Sequence, residues 1–275
     1  MRIQEVLGKA EIDRLDAEIL LSFVLHRDRG WLLGHSQELL TQDQKKLFES
    51  HVTRRKKHEP IAYILGEKAF YGRKFFVDRR VLIPRPSTEI LIDEVKRIYQ
   101  YTSTPVNSPR TKITPADSEI VILAHFKEHY SLPTTHYPLI VDVGTGSGCI
   151  GITLALEIPE AKILCTDISE DALDVAKKNV KRFEVHDRIT FQRFPYLPYV
   201  PDLPYLLVSN PPYIPSGTPL PPNVLNFEPH EALFAGPEGM DVLSPLVKQA
   251  LHDGHCLGFI LECREEQAKK ISSYF

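Results

Sequence analysis

The rhythm of apolar and polar positions changes near Pro138. Before it, Leu15, Ile19, Leu20, Phe23 and Val24 recur near helical spacing, so residues 1 to about 75 are expected to form helices. Thr41, with Gln44 three positions later, is a capping-box pair that predicts a helix running to about His58. Residues 75–83 read as a short hairpin or extended linker closing on Pro84-Arg85-Pro86, and 88–99 as another helix. Residues 101–117 are rich in Thr, Ser and Pro without a period, which predicts a loop or disordered insert. A helix over 118–130 is expected inside the wider insertion at about 101–137.

After Pro138, apolar runs alternate with amphipathic stretches. Strands are expected at 139–143, 162–167, 188–192, 205–209 and 256–262, and helices at about 148–157, 170–183, 241–252 and 264–274. Alternation of this kind predicts a Rossmann-like α/β domain, a parallel sheet with helices on both faces.

Composition narrows the class. The 275 residues are 43% hydrophobic and 25% charged, enough to bury a sizeable core. The net charge of −3 lacks the basic footprint of a duplex-DNA binder, so no DNA partner is expected. Cys149, Cys165, Cys256 and Cys263 form no C-x-x-C pair, so no metal is predicted and buried reduced thiols are expected. The N-terminus lacks the apolar core of a signal peptide, and the run at 19–25 is too short to span a bilayer. A cytoplasmic location and no membrane partner are therefore expected. The run Arg54-Arg55-Lys56-Lys57 has two readings: a solvated helix end favoured by the macrodipole, or a contact to an acidic or RNA-bearing partner.

Two motifs carry chemistry. Val141-Asp142-Val143-Gly144-Thr145-Gly146-Ser147-Gly148 follows a predicted strand and opens a predicted helix. Its glycines let the backbone turn tightly and come close to a ligand, and the helix start offers unpaired N–H groups. Asp167 ends the next strand, where a carboxylate accepts both ribose hydroxyls of a bound nucleoside. The bland alternative is that Asp167 or Ser169 simply caps the helix from 170. Asn210-Pro211-Pro212-Tyr213 ends the strand at 205–209, on the side where open α/β sheets bind ligands. The Asn210 side-chain oxygen and the Pro211 carbonyl can each accept one hydrogen of a planar NH2 group, and Tyr213 can stack on it. The two prolines fix φ and remove two donors. The expected chemistry is methyl transfer to a planar nitrogen, with catalysis mainly by positioning.

At these residues the chain resembles the release factor N5-glutamine methyltransferases of the HemK/PrmC type. The resemblance covers about 1–100 and 138–263. It is most specific in Glu59-Pro60-Ile61-Ala62-Tyr63-Ile64-Leu65-Gly66, in Leu82-Ile83-Pro84-Arg85-Pro86-Ser87-Thr88-Glu89, in Val208-Ser209-Asn210-Pro211-Pro212-Tyr213-Ile214 and in Phe227-Glu228-Pro229 with Ala232-Leu233 and Gly239-Met240. It implies methylation, from S-adenosyl-L-methionine, of the side-chain amide N5 of the glutamine in the Gly-Gly-Gln motif of class-one peptide chain release factors. It implies a helical docking domain at 1–75, a linker hairpin at 76–90 and a cofactor-binding methyltransferase domain at 91–275. Asp142, Val143, Gly144, Thr145, Gly146, Asp167, Pro195 and Asn210 would bind the cofactor. Asn210, Pro211, Pro212 and Tyr213 would hold the amide, and Arg85, Pro86 and Thr88 would line the cleft between domains.

Three features depart from the family pattern. Phe194-Pro195 stands where the family has an acidic residue followed by an aromatic beside the adenine. His125-Phe126-Lys127-Glu128-His129 matches H-x-x-E-H, read as chance because no third ligand is nominated. The chain ends at Phe275, soon after the fifth strand, where the family continues with a strand pair. This C-terminal pair is expected to be missing, the fifth strand's edge exposed, and stability and activity reduced. The alternatives are an adenine-N6 nucleic-acid methyltransferase, which shares the Asn-Pro-Pro-Tyr element, and a truncated homologue that binds without turnover.

Overall fold

The computed structural model describes residues 1–100, 110–113, 120–126, 139–197 and 203–274. The chain divides into two compact units: Met1–Glu67 with Leu220–Phe227, and Lys68–Pro219 with Glu228–Phe275.

The first unit contains α1 (Ile3–Gly8), α2 (Arg14–Leu25), α3 (Arg29–Gly34), α4 (Gln42–Lys56) and α5 (Ile61–Leu65). They bury one apolar cluster that includes Ile3, Leu20, Leu21, Leu32 and Phe48. Each long helix starts on a side-chain cap. Asp13 accepts from the Leu15 and Asp16 N–H groups at the start of α2. Thr41 and Gln44 form the expected reciprocal box at α4, with Gln44 N donating to Thr41 Oγ1 at 3.2 Å and Thr41 N to Gln44 Oε1 at 2.9 Å. The basic run at the end of α4 is largely spent inside the unit. Arg54 pairs with Glu59 at 2.8 Å, Arg55 with Asp16 at 2.6 Å and Lys56 with Glu11 at 2.6 Å.

In the second unit, β1 (Glu67–Phe70) and β2 (Arg73–Phe76) form a hairpin. It lies earlier than the 75–83 expected from sequence. Tyr71 and Gly72 both adopt positive φ, 49° and 73°, the two-residue turn that suits strand twist. Tyr at the first turn position concealed the signal. Its hydroxyl donates to Asp93 at 2.7 Å, on α6 (Glu89–Gln100).

The remaining strands form one sheet: β3 (Arg110–Ile113), β4 (Ile120–Phe126), β5 (Leu139–Val143), β6 (Ile163–Asp167), β7 (Ile189–Arg193), β8 (Tyr205–Ser209) and β9 (Cys256–Arg264), in spatial order β3-β4-β9-β8-β5-β6-β7. The five strands from β9 to β7 are parallel. Successive residues bury on opposite faces. Ile140, Cys165, Val208 and Ile260 enter one core with α6, α7 (Cys149–Glu157) and α8 (Glu170–Phe183). Val141, Leu164, Leu207 and Leu261 enter the other with α10 (Leu243–His252) and α11 (Glu265–Ser272); α9 is the short helix Pro222–Leu225. This is the period-2 alternation of a sheet covered on both sides. The four cysteines are buried and none forms a disulfide. Burial pushes the Cys149 thiol up to about 12.

Two expectations fail at the sheet edge. The segment expected as a helix at 118–130 contains strand β4. The fifth predicted strand, β9, is not an exposed edge. β4 runs antiparallel along it from Ile120 opposite Arg264 to Phe126 opposite Gly258, and β3 pairs antiparallel with β4. The strands that cover β9 come from inside the 101–137 segment, so the expected missing pair leaves no gap there. The physical reason is legible in β4 itself. Ile122, Ala124 and Phe126 bury in the first core, Val121 and Leu123 in the second. A short continuous apolar run buried on both faces has no period that separates helix from strand. Of the H-x-x-E-H match, His125 and Phe126 lie in β4 and the other three residues lie outside the described residues. Among the described residues no His, Cys, Asp or Glu cluster could hold a metal ion, and no helix is long and apolar enough to cross a membrane.

Candidate active site

The chain leaves β5 and runs outward to β6 and β7 on one side, and to β8 and β9 on the other. The order therefore reverses at β5, and a crevice opens beyond the carboxyl ends there. A cavity of about 220 Å3 occupies this position.

The turn after β5 forms its floor. Gly144 and Gly146 adopt φ of +69° and +54°, and a Cβ built on either meets no heavy atom within 4 Å. Both line the cavity, so side chains there would take up open space that a ligand can use. Gly148 starts α7 at φ +80°, where a Cβ would lie 2.8 Å from Ile152 Cδ1 and 3.2 Å from Ala176 Cβ. Asp142 is fully buried beneath the turn. Its Oδ2 accepts from Thr145 Oγ1 at 2.6 Å and from Gly151 N at 3.0 Å, while Oδ1 has no partner among the described residues. Burial pushes the Asp142 carboxyl up to about 6. Asn179, buried on α8, donates to Ser147 O at 2.8 Å and also binds both backbone groups of Phe76, which ties the glycine turn and the β1–β2 hairpin to one helix.

Asp167 ends β6 at the cavity wall. Its Oδ2 accepts from Gly146 N at 2.9 Å and its Oδ1 from Ser169 N at 2.9 Å. Burial raises its pKa against these hydrogen bonds. Ser169, not Asp167, caps α8, accepting from Ala172 N at 3.2 Å. Phe194, Pro195 and Tyr196, after β7, line the same cavity, as do Asn210, Pro211 and Pro212 after β8.

The cavity therefore collects Val143, Gly144, Gly146, Asp167, Pro195 and Asn210 from the sequence-predicted set. Asp142 and Thr145 lie buried just behind it. Tyr213 is partly buried against the second core; its hydroxyl donates to Glu262 at 3.0 Å and its carbonyl accepts from Gln267 Nε2 at 2.8 Å. Arg80 and Val81 on one wall and Glu231 on another carried no sequence signal; Leu82, beside them, was marked only as the start of the Leu82-to-Glu89 segment. Pattern reading also missed two buried carboxylates. Glu228 accepts from Ile83 N at 3.0 Å and from Arg85 Nη2 at 2.6 Å. Glu262 accepts from Thr88 Oγ1 at 2.7 Å. The only sequence signal for Glu228 was its place in Phe227-Glu228-Pro229; nothing singled out Glu262.

Comparison with known proteins gives the family. Residues 1–66 match the PrmC N-terminal domain, and residues 121–219 match the methyltransferase small domain. A release factor glutamine methyltransferase from Coxiella burnetii is 33% identical over 98% of this chain and 85% of its own length. One from Chlorobaculum tepidum is 38% identical over 85% of this chain and 72% of its own. The chain belongs to the release factor glutamine methyltransferase family. The chain also matches the bifunctional methyltransferase of Rickettsia typhi, 38% identical over 96% of this chain and 49% of that protein. It thus spans about half the length of that group of curated relatives. The family's fold is that of S-adenosyl-L-methionine-dependent methyltransferases, and the cavity lining would suit that cofactor: open space over two glycines, a carboxylate at the end of β6 and apolar residues after β7.

Proposed function

We propose that this chain transfers a methyl group from S-adenosyl-L-methionine to the N5 amide of the glutamine in the Gly-Gly-Gln motif of class-one peptide chain release factors, in the cytoplasm, with neither DNA nor membrane as partner. Asn210 carries the reading. It stands at the carboxyl end of β8, beside the glycine turn of β5, and lines the same cavity. Gly144 and Gly146 would hold the cofactor's amino-acid portion, Asp167 the ribose hydroxyls, and Pro195 with Phe194 the adenine face. The bound cofactor supplies an electrophilic methyl group.

The chain's own work is to hold the acceptor. A glutamine amide is planar, and its nitrogen lone pair is conjugated with the carbonyl. Asn210 Oδ1 and the Pro211 carbonyl each accept one of its two hydrogens, which orients the nitrogen and stabilises positive charge that develops there. Pro211 and Pro212 stiffen the segment that presents those oxygens. Tyr213 bounds the acceptor side. The helical unit at 1–66 is the docking element for the release factor.

A release factor, duplex DNA and RNA offered together with labelled cofactor test this. Label on the release factor alone is the expected result; label on nucleic acid would replace this reading by adenine methylation. A net charge of −3 speaks against the latter.

A further inference from the structure

Asn210 has two nearly isosteric prongs, an oxygen and an NH2 group. Only the oxygen is useful to an incoming amide NH2; the other orientation presents donors to donors. Nothing within the Asn-Pro-Pro-Tyr segment selects the prong. The selection lies in the buried contacts behind it.

Glu262, on β9, has no exposed surface. An ionised carboxylate only accepts, so Thr88 Oγ1, 2.7 Å from Glu262 Oε2, gives its single proton to Glu262, toward which the Asn210 side chain also donates. The Thr88 hydroxyl is then an acceptor toward everything else, and the Asn210 atom 3.0 Å away is the nitrogen Nδ2. Tyr213 donates to the other oxygen of Glu262 at 3.0 Å, so the carboxylate is held from both sides. Thr88 is only 2% exposed, which keeps water from substituting for its hydroxyl.

We infer that Glu262 is a positioning residue that acts through Thr88: the one-way hydrogen-bond chain Asn210 Nδ2–Thr88 Oγ1–Glu262 Oε2 turns the Asn210 oxygen toward the cavity. The Ile-Pro-Arg-Pro segment thereby gains a second task, since it delivers Thr88 to this chain. Glu228 fixes the same segment through Ile83 N and Arg85. The inference rests on the amide-methylation reading only for its effect on turnover; the held amide is a property of the free protein.

Thr88→Val keeps the shape and removes the hydroxyl, whereas Thr88→Ser keeps the hydroxyl. Two readouts on the full chain separate the possibilities. In side-chain amide NMR, the Asn210 NH2 pair, identified by its absence in Asn210→Asp, is expected to exchange slowly with solvent in the wild type and in Thr88→Ser, and fast in Thr88→Val. In methyl transfer to a release factor, kcat is expected to fall about 10²-fold in Thr88→Val, the scale of a misplaced catalytic group, with KM for S-adenosyl-L-methionine unchanged, and to recover most of the way in Thr88→Ser. If Thr88→Val does not fold, Thr88→Ala carries the same comparison. An Asn210 amide equally protected without the hydroxyl, or wild-type turnover in Thr88→Val, overturns the relay. If the wild type methylates no release factor, the functional reading fails, and the exchange comparison alone decides whether the amide is held.

Discussion

At the residue scale, the proposed site separates groups that would touch a ligand from groups that hold them. Asn210→Ala removes the proposed acceptor, which would be used most fully as charge develops on the nitrogen. Its kcat is expected to fall about 10²-fold while cofactor affinity, measured by calorimetry, stays the same; equal losses in both would contradict the role. Asp142 makes a prediction about pH. Burial raises its pKa from 3.8 to about 6 in the folded chain. The protonated form therefore suits the fold better: its stabilising contribution is complete below 3.8 and is lost as pH rises through about 6. Relative to Asp142→Asn, the wild type should lose stability across this window, about 3 kcal/mol, in denaturant melts at several pH values; parallel curves for the two proteins would contradict it. What the sequence made legible at this scale follows from chain neighbourhood. Asp142, the glycines, Asp167 and Asn210 all sit at strand ends, and each strand end announces itself locally. Glu262 reaches Thr88 across 174 positions and Glu228 reaches Ile83 across 145; only folding brings such pairs together, and no local pattern marks them.

At the element scale, β5 to β9 and their helices were readable because short apolar runs alternate there with amphipathic stretches and α8 starts on its Ser169 cap. The β1–β2 turn and β4 were not. Tyr71 occupies a positive-φ turn position that Asn or Asp usually signals, and the β4 run is apolar at nearly every position. The covering of β9 by β4 gives a sharp test of whether 101–137 is an ornament or part of the fold. Ile122 has no exposed surface and packs in the first core. Ile122→Ala should cost about 2–5 kcal/mol in chemical denaturation. A substitution on a dispensable insert would cost within about 0.5 kcal/mol, and that result would remove β4 from the core.

At the scale of the whole molecule, the proposed cofactor cavity at the β5 reversal point would link stability to cofactor. A ligand that binds only the folded state at about a hundred times its Kd adds roughly 2.7 kcal/mol. S-adenosyl-L-methionine should accordingly raise the melting temperature by several degrees, and the rise should shrink in Asp167→Ala, which loses the carboxylate proposed for the ribose. An unshifted melt in the wild type would contradict cofactor binding. The identity of the methyl acceptor is decisive. The most direct measurement is fragmentation mass spectrometry of a purified class-one release factor after incubation with this chain and isotopically labelled S-adenosyl-L-methionine. A single labelled methyl on the side-chain nitrogen of the Gly-Gly-Gln glutamine is the predicted result. A label on any other residue, or none while the cofactor binds, would contradict it.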